Sequence, residues 1–166
     1  MTQRVYLAGP FFSDAQNERL NKAKALLEQN PTIGYIYEPR EHQQAEIVAK
    51  FGGNLETAMH EREWQDATYR ADVQAMTQAD VIVATFDFDI ESGNARPDEG
   101  TIFEIGYAIA INKPVIILQH QVDDEPLNLM LAASYTGYFW GEKEIEQIKD
   151  YDFINLPVHN TDKAVF

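Results

Sequence analysis

Two apolar runs most tightly restrict how this chain can fold. They are Val-Ile-Val-Ala-Thr-Phe at 81–86 and Pro-Val-Ile-Ile-Leu-Gln at 114–119. Neither run alternates with polar residues, which is typical of strands buried on both faces of a parallel sheet. An acidic loop (87–98) and a helix that carries Glu104 lie between them. The two runs therefore indicate an α/β architecture.

The rest of the chain alternates strands and helices in the same way. Further strands are predicted at 5–9, 34–39 and 137–140. Helices are predicted after Ser13, where Gln16 completes a capping box, from about 56 to 78, around Glu104, and at 128–134. Residues 40–56 are interpreted as an irregular excursion or lid, and 151–166 as an irregular tail. We expect one α/β domain, residues 1–166, with a five-stranded, mainly parallel sheet and helices on both faces, of the flavodoxin or Rossmann type.

Ligands of such sheets bind beyond the carboxyl ends of the strands. We therefore expect Tyr6, the start of the 87–98 loop and the residues after Leu118 to lie near one another.

Charge and composition exclude several classes of function. The chain has 166 residues and a net charge of −14, which disfavours nucleic acid and anionic membrane surfaces as partners and leaves a neutral metabolite easier to bind. The absence of cysteine excludes disulfides and thiolate catalysis. No run is long enough to span a bilayer, and no signal-peptide core is evident, so we expect a soluble cytoplasmic protein.

Common cofactor and metal motifs are missing. The sequence has no dinucleotide-binding glycine motif, phosphate-binding loop or nucleophile elbow. Its histidines are scattered and form no close pair; they are His42, His60, His120 and His159. We expect neither a metal nor a cofactor.

Glu104 is the most unusual residue of the chain. Its neighbours Phe103, Ile105, Tyr107 and Ala108 leave little room for a solvated helix face, and a carboxylate is costly to bury without compensation. Glu104 is therefore either a structural buried acid with a specific partner or a pocket residue that does chemistry.

Two other acids are unremarkable by pattern alone. Asp98 is placed at the entrance of the helix that carries Glu104, where the helix dipole favours a negative charge. Asp72, in Tyr-Arg-Ala-Asp, fits an ordinary solvated helix acid.

Five separated motifs together resemble the nucleoside 2-deoxyribosyltransferase family, and the resemblance covers nearly the whole chain. They are VYLAGPFFSDAQNERLNKAKALLEQNPTI, WQDATYRAD, DEGTIFEIGYA, NKPV and PLNLM. The resemblance implies transfer of a 2-deoxyribosyl group between nucleobases, a reaction of nucleotide salvage, without metal or cofactor. The partners it implies are 2-deoxynucleosides and free nucleobases.

The resemblance also implies roles for individual residues. Glu104 matches the family's nucleophile, and Tyr6 the tyrosine that orients it. Asp72 and Asp98 match two acids that hold and protonate the base. Asn128 and Met130 match residues donated by a neighbouring subunit, with the asparagine on the side of the sugar 5-hydroxyl, and Phe12 is expected in the substrate pocket. A homo-oligomer with shared sites follows, expected to be a hexamer. The family's chain often ends in tyrosine, whereas this one ends in Phe166.

Retention of configuration at the sugar carbon requires two inversions and hence a covalent deoxyribosyl-glutamate. In this interpretation the apolar surroundings of Glu104 exclude water, the competing acceptor.

Two alternatives are kept: a 2-deoxynucleoside 5-monophosphate N-glycosidase, and a nucleoside-binding sensor without catalysis. Specificity for purines alone or for purines and pyrimidines stays open, as does which aspartate protonates the base.

Overall fold

The computed structural model describes residues 2–89 and 93–166. Within these residues there are seven strands: β1 Gln3–Ala8, β2 Ile33–Tyr37, β3 Val81–Thr85, β4 Phe88–Asp89, β5 Asn94–Pro97, β6 Val115–Gln119 and β7 Gly137–Trp140. The helices are α1 Asp14–Glu28, α2 Ala45–Lys50, α3 Leu55–Met59, α4 Arg62–Gln78, α5 Glu99–Ala110, α6 Leu129–Ala132 and α7 Glu142–Ile145. Single 3₁₀ turns occupy Pro39–Glu41 and Glu146–Asp150.

Five strands form one sheet in the order β2-β1-β3-β6-β7, and every neighbouring pair is parallel. This is the flavodoxin-like order, in which the chain reverses its direction of growth between β1 and β3. The sequence prediction of an α/β fold with five strands is confirmed, and the sheet is entirely rather than mainly parallel. The strands β4 and β5 form a separate antiparallel pair that the sequence did not predict.

Helices cover both faces of the sheet because the strands are apolar on both sides. On one face, alternate residues such as Val5 and Leu7 of β1 pack against Leu20 and Leu27 of α1. On the other face, Tyr6 and its counterparts on β3, β6 and β7 pack against α4 and α5. Tyr6 therefore points to the side of the sheet on which α5 carries Glu104.

Two predictions about the middle of the chain were wrong. The 40–56 segment is not irregular throughout, because it holds α2 and the start of α3. The helix predicted from about 56 to 78 is two helices, α3 and α4, separated at His60 and Glu61. Asn54 caps α3, because its side chain accepts a hydrogen bond from the backbone N–H of Thr57. The helix α3 therefore has its own N-terminal cap.

Close packing brings the loop after β1 against β3. A Cβ atom added to Gly9 would lie 1.9 Å from Oγ1 of Thr85. Only glycine fits there without displacing a buried strand residue. The chain therefore leaves β1 tightly against β3, at the carboxyl edge of the sheet.

Candidate active site

Tyr6 and Glu104 meet between the sheet and α5. Tyr6 is fully buried in the middle of β1, in register with Ile82 of β3 and Tyr37 of β2. Its hydroxyl donates a hydrogen bond to Oε1 of Glu104. The expected pairing of these two residues is therefore present in the fold.

The surroundings of Glu104 favour its protonated form. Burial is the largest effect and raises the pKa of the Glu104 carboxyl to about 8, although the hydrogen bond from Tyr6 lowers it. The nearby charges of Asp72 and Asp98 raise it further. The structure thus brings all three acids singled out in the sequence close enough to interact.

The apolar run around Glu104 does not enclose it in the way that the sequence suggested. Ile102 and Phe103 are 37% and 49% exposed, whereas Ile105 and Ala108 are buried. The reason is that α5 is apolar on its outward face as well as on the face against the sheet, and a composition pattern does not separate the two. Glu104 is partly buried at the boundary between these faces.

Asp98 caps the helix that carries Glu104. Its Oδ2 accepts hydrogen bonds from the backbone N–H of Thr101, at 2.7 Å, and from the Thr101 hydroxyl, at 2.9 Å. The predicted position at the helix entrance is confirmed. The same residue thus fixes the first turn of α5 and adds negative potential at Glu104.

Asp72 has a partner that the sequence did not indicate. Tyr37 donates a hydrogen bond from its hydroxyl to Oδ1 of Asp72, at 3.1 Å. Tyr37 is stacked between Tyr6 and His42, with ring centroids 5.5 Å and 4.1 Å away. Burial raises the pKa of the Asp72 carboxyl to about 6, against the opposing effects of Tyr37 and His42. Asp72 is therefore not the solvated helix acid that its local pattern suggests.

Two adjacent tyrosines thus each donate to one carboxylate. The Tyr6 hydroxyl donates to Glu104, and the Tyr37 hydroxyl donates to Asp72. Burial and the neighbouring carboxylates raise the pKa of both phenols well above the ordinary range, so that both stay protonated hydrogen-bond donors. This arrangement can hold one ionised carboxylate and one protonated carboxyl group beside each other.

Asn128 and Met130 lie on a different side of α5. Together with Ile102, Gly106 and Phe166 they line a largely apolar groove of about 900 Å³. Positions 102 and 106 share one helix face, and position 104 is turned about half a revolution away from it at 100° per residue. Within one chain, Asn128 therefore does not approach Glu104 along this groove.

Phe12 lies on the loop between β1 and α1. It is 68% exposed and its ring is stacked on Phe11, with centroids 4.9 Å apart. Its role in a substrate pocket stays a prediction.

A second cavity, of about 450 Å³, opens beside Tyr37 and His42. Glu104 is a lining residue of neither cavity, each taken over the residues that the structure describes.

Comparison with known proteins identifies the family of this chain. The sequence pattern of the nucleoside 2-deoxyribosyltransferase family matches residues 5–133, a span that includes Tyr6, Asp72 and Glu104. The chain belongs to this family. It is accordingly an enzyme of the nucleoside deoxyribosyltransferase type, as the resemblance of its motifs implied.

Individual relatives are similar over nearly their whole length. The nucleoside deoxyribosyltransferase of Limosilactobacillus fermentum is 35% identical over 154 residues, covering 90% of this chain and 86% of that protein. The 2-deoxyribosyltransferase of Bacillus psychrosaccharolyticus superposes with a TM-score of 0.75 at 26% identity, covering 95% of this chain and 98% of that one. A CMP N-glycosidase from Clostridium botulinum shares the fold at 18% identity and a TM-score of 0.53, covering 90% of this chain and 100% of that one.

No helix within residues 2–89 and 93–166 is long and apolar enough to cross a membrane. Over the same residues, no group of three or more histidine, aspartate or glutamate side chains is arranged to hold a metal ion.

Proposed function

We propose that this deoxyribosyltransferase works by double displacement, with Glu104 as the nucleophile. The hydrogen bond from the buried Tyr6 hydroxyl to the Glu104 carboxylate is the observation that carries the proposal. It fixes one carboxylate oxygen, so that the other can face the sugar. Among family members the reaction is deoxyribosyl transfer, which makes a carboxylate nucleophile the natural chemistry for retention.

In the first half of the reaction, a Glu104 oxygen forms a bond to C1′ as the bond from C1′ to the base nitrogen breaks. The bonding electrons leave with the base, which takes a proton from a carboxyl group. In the second half, an incoming base attacks C1′, Glu104 leaves as a carboxylate, and the acceptor's proton returns to the acid. Nothing is oxidised or reduced, and no metal is needed.

Asp72 is the better candidate for the acid. Its pKa of about 6 lies near neutrality, as general acid catalysis requires. Asp98 is instead engaged at Oδ2 by both donors of Thr101. We therefore assign proton transfer to Asp72 and assign Asp98 to holding the base and the helix.

The two pKa values imply an uncommon protonation state for the reactive enzyme. Glu104 must be ionised with a pKa of about 8, and Asp72 protonated with a pKa of about 6. Taken alone, each condition is met at pH 7 in about one molecule in ten, and protonation of Asp72 also removes a charge that raises the pKa of Glu104. The profile of kcat/KM against pH should be flat between about 6 and 8 and fall on both sides.

The site is completed by a second copy of the chain in this proposal. Asn128 and Met130 line the groove beside Ile102 and Gly106, on the other side of α5 from Glu104, which favours a role in the site of a neighbouring chain. Ile102, Phe103 and Met130 are exposed apolar residues that an interface would cover. We propose a homo-oligomer, a hexamer with shared sites.

The family match ends at residue 133, but β7 belongs to the same sheet, so we assign residues 1–166 to one domain.

A nucleotide N-glycosidase is less well supported, because the first loop is poorly suited to a phosphate. The loop 8–17 holds no lysine or arginine. The backbone N–H groups of Phe12 and Ser13 already donate to Oε1 of Gln16, at 2.8 Å and 3.1 Å. An anion at this helix N-terminus would therefore have to compete with Gln16 for these two donors.

Incubation of the protein with deoxyinosine and adenine, and separately with thymidine and adenine, tests this function. We expect deoxyadenosine in the first mixture, and the second determines whether pyrimidines are also donors. Release of free sugar phosphate from a deoxynucleoside 5-monophosphate, without transfer, would instead identify a glycosidase. Nucleoside binding without any product would identify a sensor.

Substitution of the nucleophile completes the test. Glu104→Gln should lower transfer at least about a thousandfold, since it removes the nucleophile and not merely one interaction. Glu99→Gln, at an exposed position five residues earlier on the same helix, is the matched control and should retain activity.

A further inference from the structure

We propose that Lys163 is a positioning residue for Asn128, because a buried ion pair holds the loop that carries this asparagine. The inference rests on the proposed role of Asn128 at the sugar 5-hydroxyl. Lys163 lies in the irregular tail and was not singled out in the sequence.

The ion pair joins the tail to the loop after β6. The Lys163 ammonium lies 2.7 Å from Oδ1 of Asp123, and the two side chains are only 4% and 15% exposed. The ammonium also lies 4.5 Å from the centre of the Trp140 ring. Lysine is rarely buried to this extent without a structural or functional reason. The pairing therefore indicates that the position of this loop is specified.

The sheet anchors the other side of the pair. Oδ2 of Asp123 accepts a hydrogen bond from the side-chain amide of Gln119, which is fully buried at the end of β6. Gln119 in turn accepts one from the Tyr138 hydroxyl of β7. The loop that begins at residue 120 is thus tied to the rigid core at Asp123.

The tail then pairs with the backbone on both sides of Asn128. The N–H of Leu127 donates to the carbonyl of Ala164, at 2.7 Å, and the N–H of Leu129 donates to the carbonyl of Phe166, at 3.3 Å. These tail residues follow Lys163 directly. The ion pair therefore fixes the start of the short segment that brackets Asn128.

The orientation of the Asn128 side chain follows from this framework. Its Oδ1 accepts a hydrogen bond from the backbone N–H of Met130, at 2.9 Å, and so caps α6. The amide nitrogen is then the group that donates to a ligand hydroxyl. A small shift of the 127–129 backbone would turn this donor away from the sugar, whereas Glu104 and Tyr6 would be unaffected.

A comparison of two donors isolates this effect. The kcat/KM is measured for 2′-deoxyinosine and for 2′,5′-dideoxyinosine, which lacks the 5-hydroxyl, with adenine as acceptor. For Lys163→Met we expect about a tenfold loss with the first donor, or about 1.4 kcal/mol, and less than about a twofold loss with the second. Asn128→Ala should show the same pattern, and the double variant should lose no more than either single one.

Matched variants separate positioning from general damage. Lys163→Arg keeps the charge and can stack on the indole ring, and should retain more of the discrimination between donors than Lys163→Met does. Lys143→Met, at an exposed lysine of α7, should behave as the parent protein. Transfer of the 5-deoxy sugar at the parent rate shows that a variant is folded and that its nucleophile is intact. If Lys163→Met does not fold, Lys163→Gln replaces it; this variant loses the charge of the pair but can still donate to Asp123, so we expect a loss smaller than about tenfold with the first donor and again little or no loss with the second.

Three outcomes would overturn the inference. Proportional losses with both donors in Lys163→Met would indicate a merely structural role, and parent-like discrimination would show that the ion pair does not act through Asn128. Unchanged discrimination in Asn128→Ala would remove the assigned role of that residue as well. A parent protein that transfers neither sugar would contradict the proposed function itself, which is a separate result.

Discussion

The hydroxyl of Tyr6 donates a hydrogen bond to the carboxylate of Glu104, although the two residues are 98 positions apart in the chain. The fold creates this contact by turning the β1 side chain towards the same side of the sheet on which α5 packs. The bond lowers the pKa of Glu104 against the much larger effect of burial. It therefore holds the carboxylate in position and also favours its ionised form, which the proposed mechanism requires.

Replacement of Tyr6 by phenylalanine should change the pH profile in a specific way. Without the hydrogen bond the pKa of Glu104 rises above about 8. The kcat/KM below pH 8 should then fall about tenfold for each unit of that rise, and the upper break of the profile should move to higher pH. Profiles of the two proteins measured from about pH 5 to 10 should converge at the alkaline end. An unchanged upper break would show that Tyr6 does not control the ionisation of Glu104.

Replacement of Tyr37 by phenylalanine should move the other break. The Tyr37 hydroxyl lowers the pKa of Asp72, so its loss raises that pKa above about 6 and keeps the acid protonated to higher pH. The lower break of the kcat/KM profile should rise, while the upper break, which belongs to Glu104, stays in place. Tyr35→Phe, on the same strand, is the control. A shift of both breaks together would mean that the two acids are not separately controlled.

Burial of Glu104 should destabilise the protein at neutral and alkaline pH. The folded-state pKa of about 8 exceeds the ordinary 4.5, so stability is lost as the pH rises between these values. Glu104→Gln should therefore be more stable than the parent above pH 8, on the order of a few kcal/mol, and nearly equal to it below pH 4.5. Chemical unfolding at several pH values measures the difference. A constant difference would contradict a desolvated carboxylate at this position.

If the site is shared between chains, two variants that each lack a different site residue should complement each other in a mixed oligomer. Glu104→Ala retains Asn128, and Asn128→Ala retains Glu104. If these variants are dissociated, mixed in equal amounts and reassociated, about one quarter of the sites should contain both intact residues. Transfer activity should rise above that of either variant alone. Mixtures that stay at the level of the separate variants would indicate that each chain uses its own asparagine, and sedimentation of an active monomer would lead to the same conclusion.

Local sequence patterns predicted the fold better than the site. The apolar runs at 81–86 and 114–119 identified buried parallel strands because their burial on both faces removes polar residues. The tyrosine at position 37 gave no such signal, since its partner Asp72 is 35 residues away and the contact exists only after β2 and α4 have packed. Asp72 consequently looked like a surface acid.

Other features without a local pattern of their own were missed as well. The helix α2 has only 6 residues and no buried residue, so no apolar stripe marks it. The exposure of Phe103 could not be predicted either. An apolar residue on α5 is as compatible with an interface to another chain as with the core, and the sequence alone does not distinguish the two. Lys163 is an ordinary lysine in sequence, and only the fold pairs it with Asp123.

Detection of the covalent intermediate tests the central claim most directly. The parent protein is mixed rapidly with deoxyinosine without an acceptor base, quenched in acid, digested and analysed by mass spectrometry. We predict one deoxyribosyl group on the peptide that contains Glu104, its disappearance when adenine is added before the quench, and no such adduct in Glu104→Gln. A protein that transfers deoxyribose at full rate, but carries no adduct at any time and gives intersecting rather than parallel double-reciprocal lines, would contradict the double displacement.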